Sequence, residues 1–244
     1  MSQSFTLADS LSLGDLHTYL QRAGRVDDGA IRLVAGSGIL AVYTAILYPR
    51  GILDDTPTVL GLRTFALDGD DEFDVVSPMR SLVDRVVRAR EALPLDLAAL
   101  ADPDAGVDGD LDDAPETPVT LTRPPEVSTV TWAGISPPRG GWRPIGETDA
   151  ATLEAAARAG IAEVAEAIPT GTGEQLVQRV RSEIWSRGIT ELEYVPAGAA
   201  FAAHSLGFLA TDDPIRLFET GPWTRLSSRR GHVLVKRKDW SLKS

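Results

Sequence analysis

The sequence predicts an α+β protein of two modules, each a small, mainly antiparallel sheet packed with helices. Three observations predict it. Residues 1–126 carry 10 Lys+Arg against 22 Asp+Glu, and residues 127–244 carry 14 against 13, so the halves sit near −12 and +1. Such an asymmetry points to two modules with different surroundings. Segments with apolar residues at helical spacing alternate with short β-branched runs bounded by turn residues, the pattern of sheets covered by helices. Between the halves the composition changes: residues 101–126 hold eight acids and five prolines with few large apolar side chains. The expected organisation is an acidic α+β module (1–100), an acidic, Pro-containing linker that extends over the surface (101–126), and an α+β module with a helical middle and a basic C-terminal hairpin (127–244).

In the first module, Ser12 and Asp15 stand at capping-box spacing, and Leu13, Leu16, Tyr19 and Leu20 follow at helical intervals, giving a helix that ends near Gly24. Residues 30–35 and 39–47, joined by Gly36-Ser37-Gly38, and residues 58–67 read as three strands. Both alternating sets of 39–47 are apolar, which predicts a strand covered on both faces. Ser77-Pro78 reads as an N-cap and first-turn proline. The helix it opens buries Met79, Leu82, Val83, Val86 and Val87 and exposes an Arg80, Asp84, Arg88 ladder.

The second module opens with a strand over 127–133 and a Pro/Gly/Arg loop between Trp132 and Trp142. Leu153, Ala157, Ile161, Val164 and Ile168 mark one helix, and Leu176, Val177, Val180 and Ile184 another. Pro169 stops the first, and Thr172 with Gln175 caps the second. Residues 197–210, uncharged but for His204, predict a buried helix, and 215–218, 223–226 and 232–237 predict strands. The stretches TWAGISPPRGGWRPIGE and GPWTRLSSRRGHVLVKR resemble segments of uncharacterised actinobacterial proteins. The resemblance extends more weakly to VVSPMRSLVDRVVRA and implies no assigned activity.

The absence of cysteine removes disulfides, thiolate metal sites and cysteine nucleophiles. The N-terminus lacks the basic start and apolar run of a secretory signal, so the expected location is cytoplasmic. The longest uncharged runs, 33–49 and 194–211, are too short and too interrupted for a membrane span. Neither acidic cluster fits a calcium loop: Asp113 stands where glycine is required after Asp108, Asp110 and Asp112, and Phe73 takes that place after Asp68, Asp70 and Glu72. Gly36-Ser37-Gly38 lacks the flanking glycines of a nucleophile elbow, and Gly171-Thr172-Gly173 lacks the lysine of a phosphate loop. His17, His204 and His232 have no ligand at metal spacing. No catalytic residue, cofactor or metal is therefore expected. An active site assembled from distant acids such as Glu147, Asp149 or Glu193 is the reading that sequence leaves open.

Two constellations point to binding. Arg225, Arg229, Arg230, Lys236, Arg237, Lys238 and Lys243 face Asp239 alone within residues 225–243, a local charge of +6. Trp132, Arg139, Trp142 and Arg143 sit in one Pro- and Gly-framed loop, residue types typical of binding anchors. The expected function is a non-catalytic protein acting by association with a protein partner or itself through complementary charged surfaces. The alternative is a nucleic-acid-binding module gripping phosphates with the basic hairpin in the manner of a winged helix. The uncharged third helix, GAAFAAHSLGFLA, offers few groups for reading bases.

Overall fold

The structure, a computed structural model, describes residues 4–51, 54, 56–93, 117–127, 130–134, 136–168, 173–190 and 192–236. The chain is α+β, and its contacts divide it into two compact units: residues 1–44 with 63–130, and 45–62 with 131–244. Residues 45–62, which a linear division places in the first module, cluster with the second unit.

In the first unit, β1 (Ser4–Leu7) leads into α1 (Ser10–Gly24), followed by β2 (Ala30–Gly36), β3 (Ile39–Leu47), the end of β4 (Thr58–Ala66), β5 (Phe73–Pro78), α2 (Met79–Glu91) and β6 (Val119–Thr122). The Asp9 carboxylate, not Ser12, caps α1: it accepts the Ser12 amide at 2.6 Å and the Ser12 hydroxyl at 3.0 Å. Ser37 (φ 54°) and Gly38 (φ 71°) turn β2 into β3, both with the positive φ of a two-residue hairpin turn. β2 pairs antiparallel with β3 and with β5. Ile31, Leu33, Leu40 and Val42 are buried with Leu13, Leu16, Tyr19 and Leu20 of α1. The Tyr19 hydroxyl donates to the Val42 carbonyl (3.3 Å) and meets the Thr44 hydroxyl (2.9 Å), satisfying two buried polar groups.

Several expectations change here. Ser77-Pro78 ends a strand instead of opening a helix: Ser77 pairs with Ile31, and its hydroxyl donates to the Pro125 carbonyl at 2.6 Å. α2 starts at Met79 with no side-chain cap, buries Met79, Leu82 and Val86, and places Arg80 against Asp28. β3 is covered on both faces only from Thr44 to Leu47, and Ile39 is exposed. Residues 101–116 of the expected linker lie outside the described residues. Its later part is not extended surface chain, because Val119 and Leu121 alternate as buried positions and β6 pairs with β1.

In the second unit, a 3₁₀ turn (Thr131–Gly134) precedes β7 (Arg143–Thr148), α3 (Ala150–Ala167), α4 (Glu174–Ser186), β8 (Gly188–Ile189), β9 (Leu192–Pro196), α5 (Ala197–Ser205), β10 (Ile215–Thr220), β11 (Trp223–Ser228) and β12 (Gly231–Lys236). The order β-α-β-β-β thus appears twice, as β1-α1-β2-β3-β4 and, with two helices and a small hairpin inserted, as β7-α3 to β10-β11-β12. Of the expected strand over 127–133, residues 128 and 129 lie outside the described residues, and Thr131, Trp132 and Ala133 belong to that 3₁₀ turn, with Trp132 and Ala133 buried. Strand β7, which no periodicity announced, is interrupted by Pro144 and Gly146.

The sheet of this unit runs β4-β12-β11-β10-β7, all antiparallel, with residues 58–62 of β4 paired to β12. One face buries Val59, Leu217, Leu226, Val233 and Val235. Helix α5 packs against β12 and against α3 and α4, and its Gly198, Ala199, Ala200, Ala202 and Ala203 are buried. Trp185 of α4 stacks on Phe201 of α5 at 4.5 Å between centroids. The α3 stripe is buried at Leu153 and Ala157 but exposed at Ile161, and on α4 Leu176 is exposed while Ile184 is buried. Pro169 and Thr172 lie outside the described residues, and the cap position of α4 belongs to Gly173.

Candidate functional site

Antiparallel pairing places opposite residues of neighbouring strands on one face. On β10 and β11 this sets Phe218 opposite Arg225, and on β11 and β12 it sets Ser227 opposite His232. The loop before β7 supplies a third wall. Gly141 (φ +77°) takes a backbone conformation that a side chain would strain. The turn lets the Trp142 indole donate to the Pro138 carbonyl at 3.1 Å. Trp142 then lies beside Arg225: the guanidinium carbon stands 4.6 Å from the Trp142 ring centroid and 4.6 Å from the Phe218 centroid.

Arg225 is half-buried, its Nε atom is buried without a hydrogen-bond partner, and desolvation lowers its pKa. The aromatic faces attract the cation but offer no hydrogen-bond acceptor in the guanidinium plane. Nearby, the His232 ring Nδ1 lies 2.9 Å from the Ser227 hydroxyl. Burial first, and the Arg225 charge second, push the His232 pKa from 6.5 down to about 4. A hydroxyl beside an imidazole resembles a nucleophile and its base. Here the imidazole is too weak a base for that task near neutrality, and among the described residues no carboxylate orients its other nitrogen.

The remaining predicted residues are dispersed. Trp132 is buried in its 3₁₀ turn. Arg139 is exposed in the loop. Arg143 pairs with Glu219 across β7 and β10. Arg229 and Arg230 occupy the exposed β11–β12 turn, roughly 13 Å of strand from Arg225. That turn is tied down by the buried Asp213, which accepts the Arg229 amide at 2.6 Å and lies 3.7 Å from its Nε. Lys236 ends β12, opposite Trp223 and Thr58, and Arg237 and Lys238 lie outside the described residues.

The basic hairpin is therefore no free wing: β12 lies between β4 and β11, and β11 between β12 and β10. Of the acids left open as catalytic, Asp149 caps α3 by accepting the Thr152 amide (2.7 Å) and hydroxyl (3.0 Å), bonds that lower its pKa. Glu147 lies on β7 opposite Arg216, and Glu193 is exposed on β9. Among the described residues no group of three or more His, Asp or Glu could hold a metal, and no helix is long and apolar enough to cross a membrane.

Phe218 was not singled out by sequence, and His232 was weighed only as a metal ligand or catalyst and set aside. The available signal was period-two alternation, which puts Phe218 with Arg216 on one face of β10 and His232 with Leu234 on one face of β12.

Two families match the chain, each described as a domain of unknown function: DUF8010 over residues 1–106 and DUF8185 over residues 137–240. No curated protein matches. Similar solved structures include a putative DNA polymerase III beta subunit from Eubacterium rectale ATCC 33656, 7% identical over 96% of this chain and 64% of that one, TM-score 0.45. Caulobacter crescentus pol III beta is 14% identical over 97% of this chain and 65% of its own, TM-score 0.45. A DNA polymerase sliding clamp from Pseudomonas aeruginosa is 13% identical over 97% and 64%, TM-score 0.44. The chain spans 64–65% of the length of these three proteins.

Proposed function

We propose that this chain is a non-catalytic, cytoplasmic association protein whose second unit docks onto an acidic protein surface. The observation that carries this reading is the charge split of −12 over residues 1–126 against +1 over 127–244. Arg139, Arg143, Arg229, Arg230 and Lys236, with the Arg225 and Trp142 pair, supply the cationic side, all from one unit. The acidic half of a second copy is the one matching surface the chain itself supplies. An exposed ion pair is worth about 0–1 kcal/mol, so such a contact needs several pairs and weakens with salt.

Sedimentation velocity of the full chain across a salt series tests this. The expected result is concentration-dependent association at low salt that dissolves at high salt. It is lost when Arg139, Arg229, Arg230 and Lys236 are changed together to Ala. A chain that stays monomeric at every salt concentration overturns the self-association. Tight, salt-steep binding of random duplex DNA, followed by fluorescence anisotropy and lost in the same variant, replaces the reading with nucleic-acid binding.

A further inference from the structure

We infer that Arg225, seated against the Trp142 and Phe218 rings, anchors a carboxylate-binding site that receives an aspartate or glutamate side chain of an acidic protein segment. The inference rests on the association reading above and names the group that reading would bring to the second unit. Arg143 is paired with Glu219 on the other face of the sheet and Arg229 with Asp213 in the β11–β12 turn, while Arg216 shares the face of β10 that carries Phe218. The Arg225 Nε is buried with no hydrogen-bond partner among the described residues.

Half-burying a guanidinium with nothing to bond costs free energy that a methionine or leucine at the same place would not incur. The two rings offset part of the cost by attracting the cation, yet they leave its in-plane donors unused. A group that completes the site must offer acceptors in the guanidinium plane. A carboxylate does so with both oxygens, in the two parallel bonds typical of arginine. The charge also fits an anion: Arg225 is cationic and the neighbouring imidazole is neutral at physiological pH.

The test is an NMR titration of the full-length chain at low salt, following the Trp142 indole N–H and the His232 ring. The probe is an end-capped peptide of alternating aspartate and glycine, with the asparagine version as control. Arg225→Lys keeps the charge without the planar fork, and Arg225→Met keeps the packing without the charge. The expected result is that the acidic peptide shifts both signals and the asparagine peptide neither. Arg225→Lys should weaken binding about tenfold or more, and Arg225→Met should abolish it with the remaining spectrum unchanged.

Equal binding by the two variants and the parent overturns the inference. So does a response confined to inorganic phosphate or to a single-stranded oligonucleotide. If salt-dependent self-association persists in both Arg225 variants and the peptide leaves Trp142 unmoved, the inference falls while the association reading stands. If self-association is absent but the peptide binds through Arg225, the association of copies falls and the carboxylate site stands.

Discussion

His232 is a residue whose ionisation near neutral pH depends on its surroundings. Burial, and after it the charge of Arg225, lower the pKa of its imidazole from 6.5 to about 4. The folded protein therefore holds this ring neutral where the unfolded chain would protonate it. Between about pH 6.5 and 4 the unfolded state binds more protons, so the stability contributed by the neutral ring is complete above 6.5 and lost as pH falls toward 4. Removing the second cause of the shift has a definite sign. Arg225→Met should raise the His232 pKa yet leave it below 6.5, because burial is the larger cause. A proton NMR titration of the three imidazoles, with His232→Gln assigning the signal, measures this. A His232 pKa that stays put or falls further in Arg225→Met would show that the guanidinium charge does not reach the ring.

At the scale of elements, the packing of α3, α4 and α5 depends on one absent side chain. A Cβ built on Gly160 of α3 would meet the Trp185 ring at 2.2 Å, so the indole occupies the space a larger residue would need. Trp185 is also stacked on Phe201 at 4.5 Å between centroids, which limits its freedom to move away. Gly160→Ala adds helix propensity, worth about 1 kcal/mol, but overpacks a dense interior, which costs about 1–3 kcal/mol. The clash should win, and the midpoint of thermal unfolding should fall. Adding Trp185→Leu should recover part of the loss, and that non-additivity separates overpacking from any other effect of the alanine.

The same elements show what sequence made legible. Strands β2, β3, β4, β10, β11 and β12 and helices α1 and α3 were readable because apolar alternation or helical spacing ran unbroken through each. Ser77-Pro78 misled because an N-cap serine with a following proline also suits the end of a strand: proline lacks only an N–H, and the serine hydroxyl found the Pro125 carbonyl. β7 was hidden by its own Pro144 and Gly146, residues that an edge strand tolerates and a central strand does not. In the candidate site, Trp142 and Arg225 were visible as residue types. Their contact was not, because it depends on the register of β10 against β11 and on the turn at Gly141.

The whole molecule is divided by contacts that cross its linear order. Residues 45–62 belong to the second unit, where Thr58, Val59, Leu60, Gly61 and Leu62 pair in turn with Lys236, Val235, Leu234, Val233 and His232. A fragment of residues 131–244 would lose this strand and leave β12 as an open edge, with Val233, Leu234 and Val235 uncovered on one side. Such an edge, long and apolar, invites pairing with other chains. The fragment should therefore aggregate or give a poorly dispersed amide spectrum, although the sequence suggests that a module beginning near residue 127 folds alone. The register also supplies the rescue. Because Lys236 stands opposite Thr58, a two-residue Asn-Gly turn placed after Lys236 and followed by residues 58–62 returns the missing strand antiparallel to β12 in its native pairing. The extended fragment should give a better dispersed spectrum and a more cooperative thermal transition than the fragment without the strand. Should residues 131–244 fold cooperatively without it, the strand shared across the sequence would be dispensable. The second unit would then be the contiguous module that its charge and composition suggest.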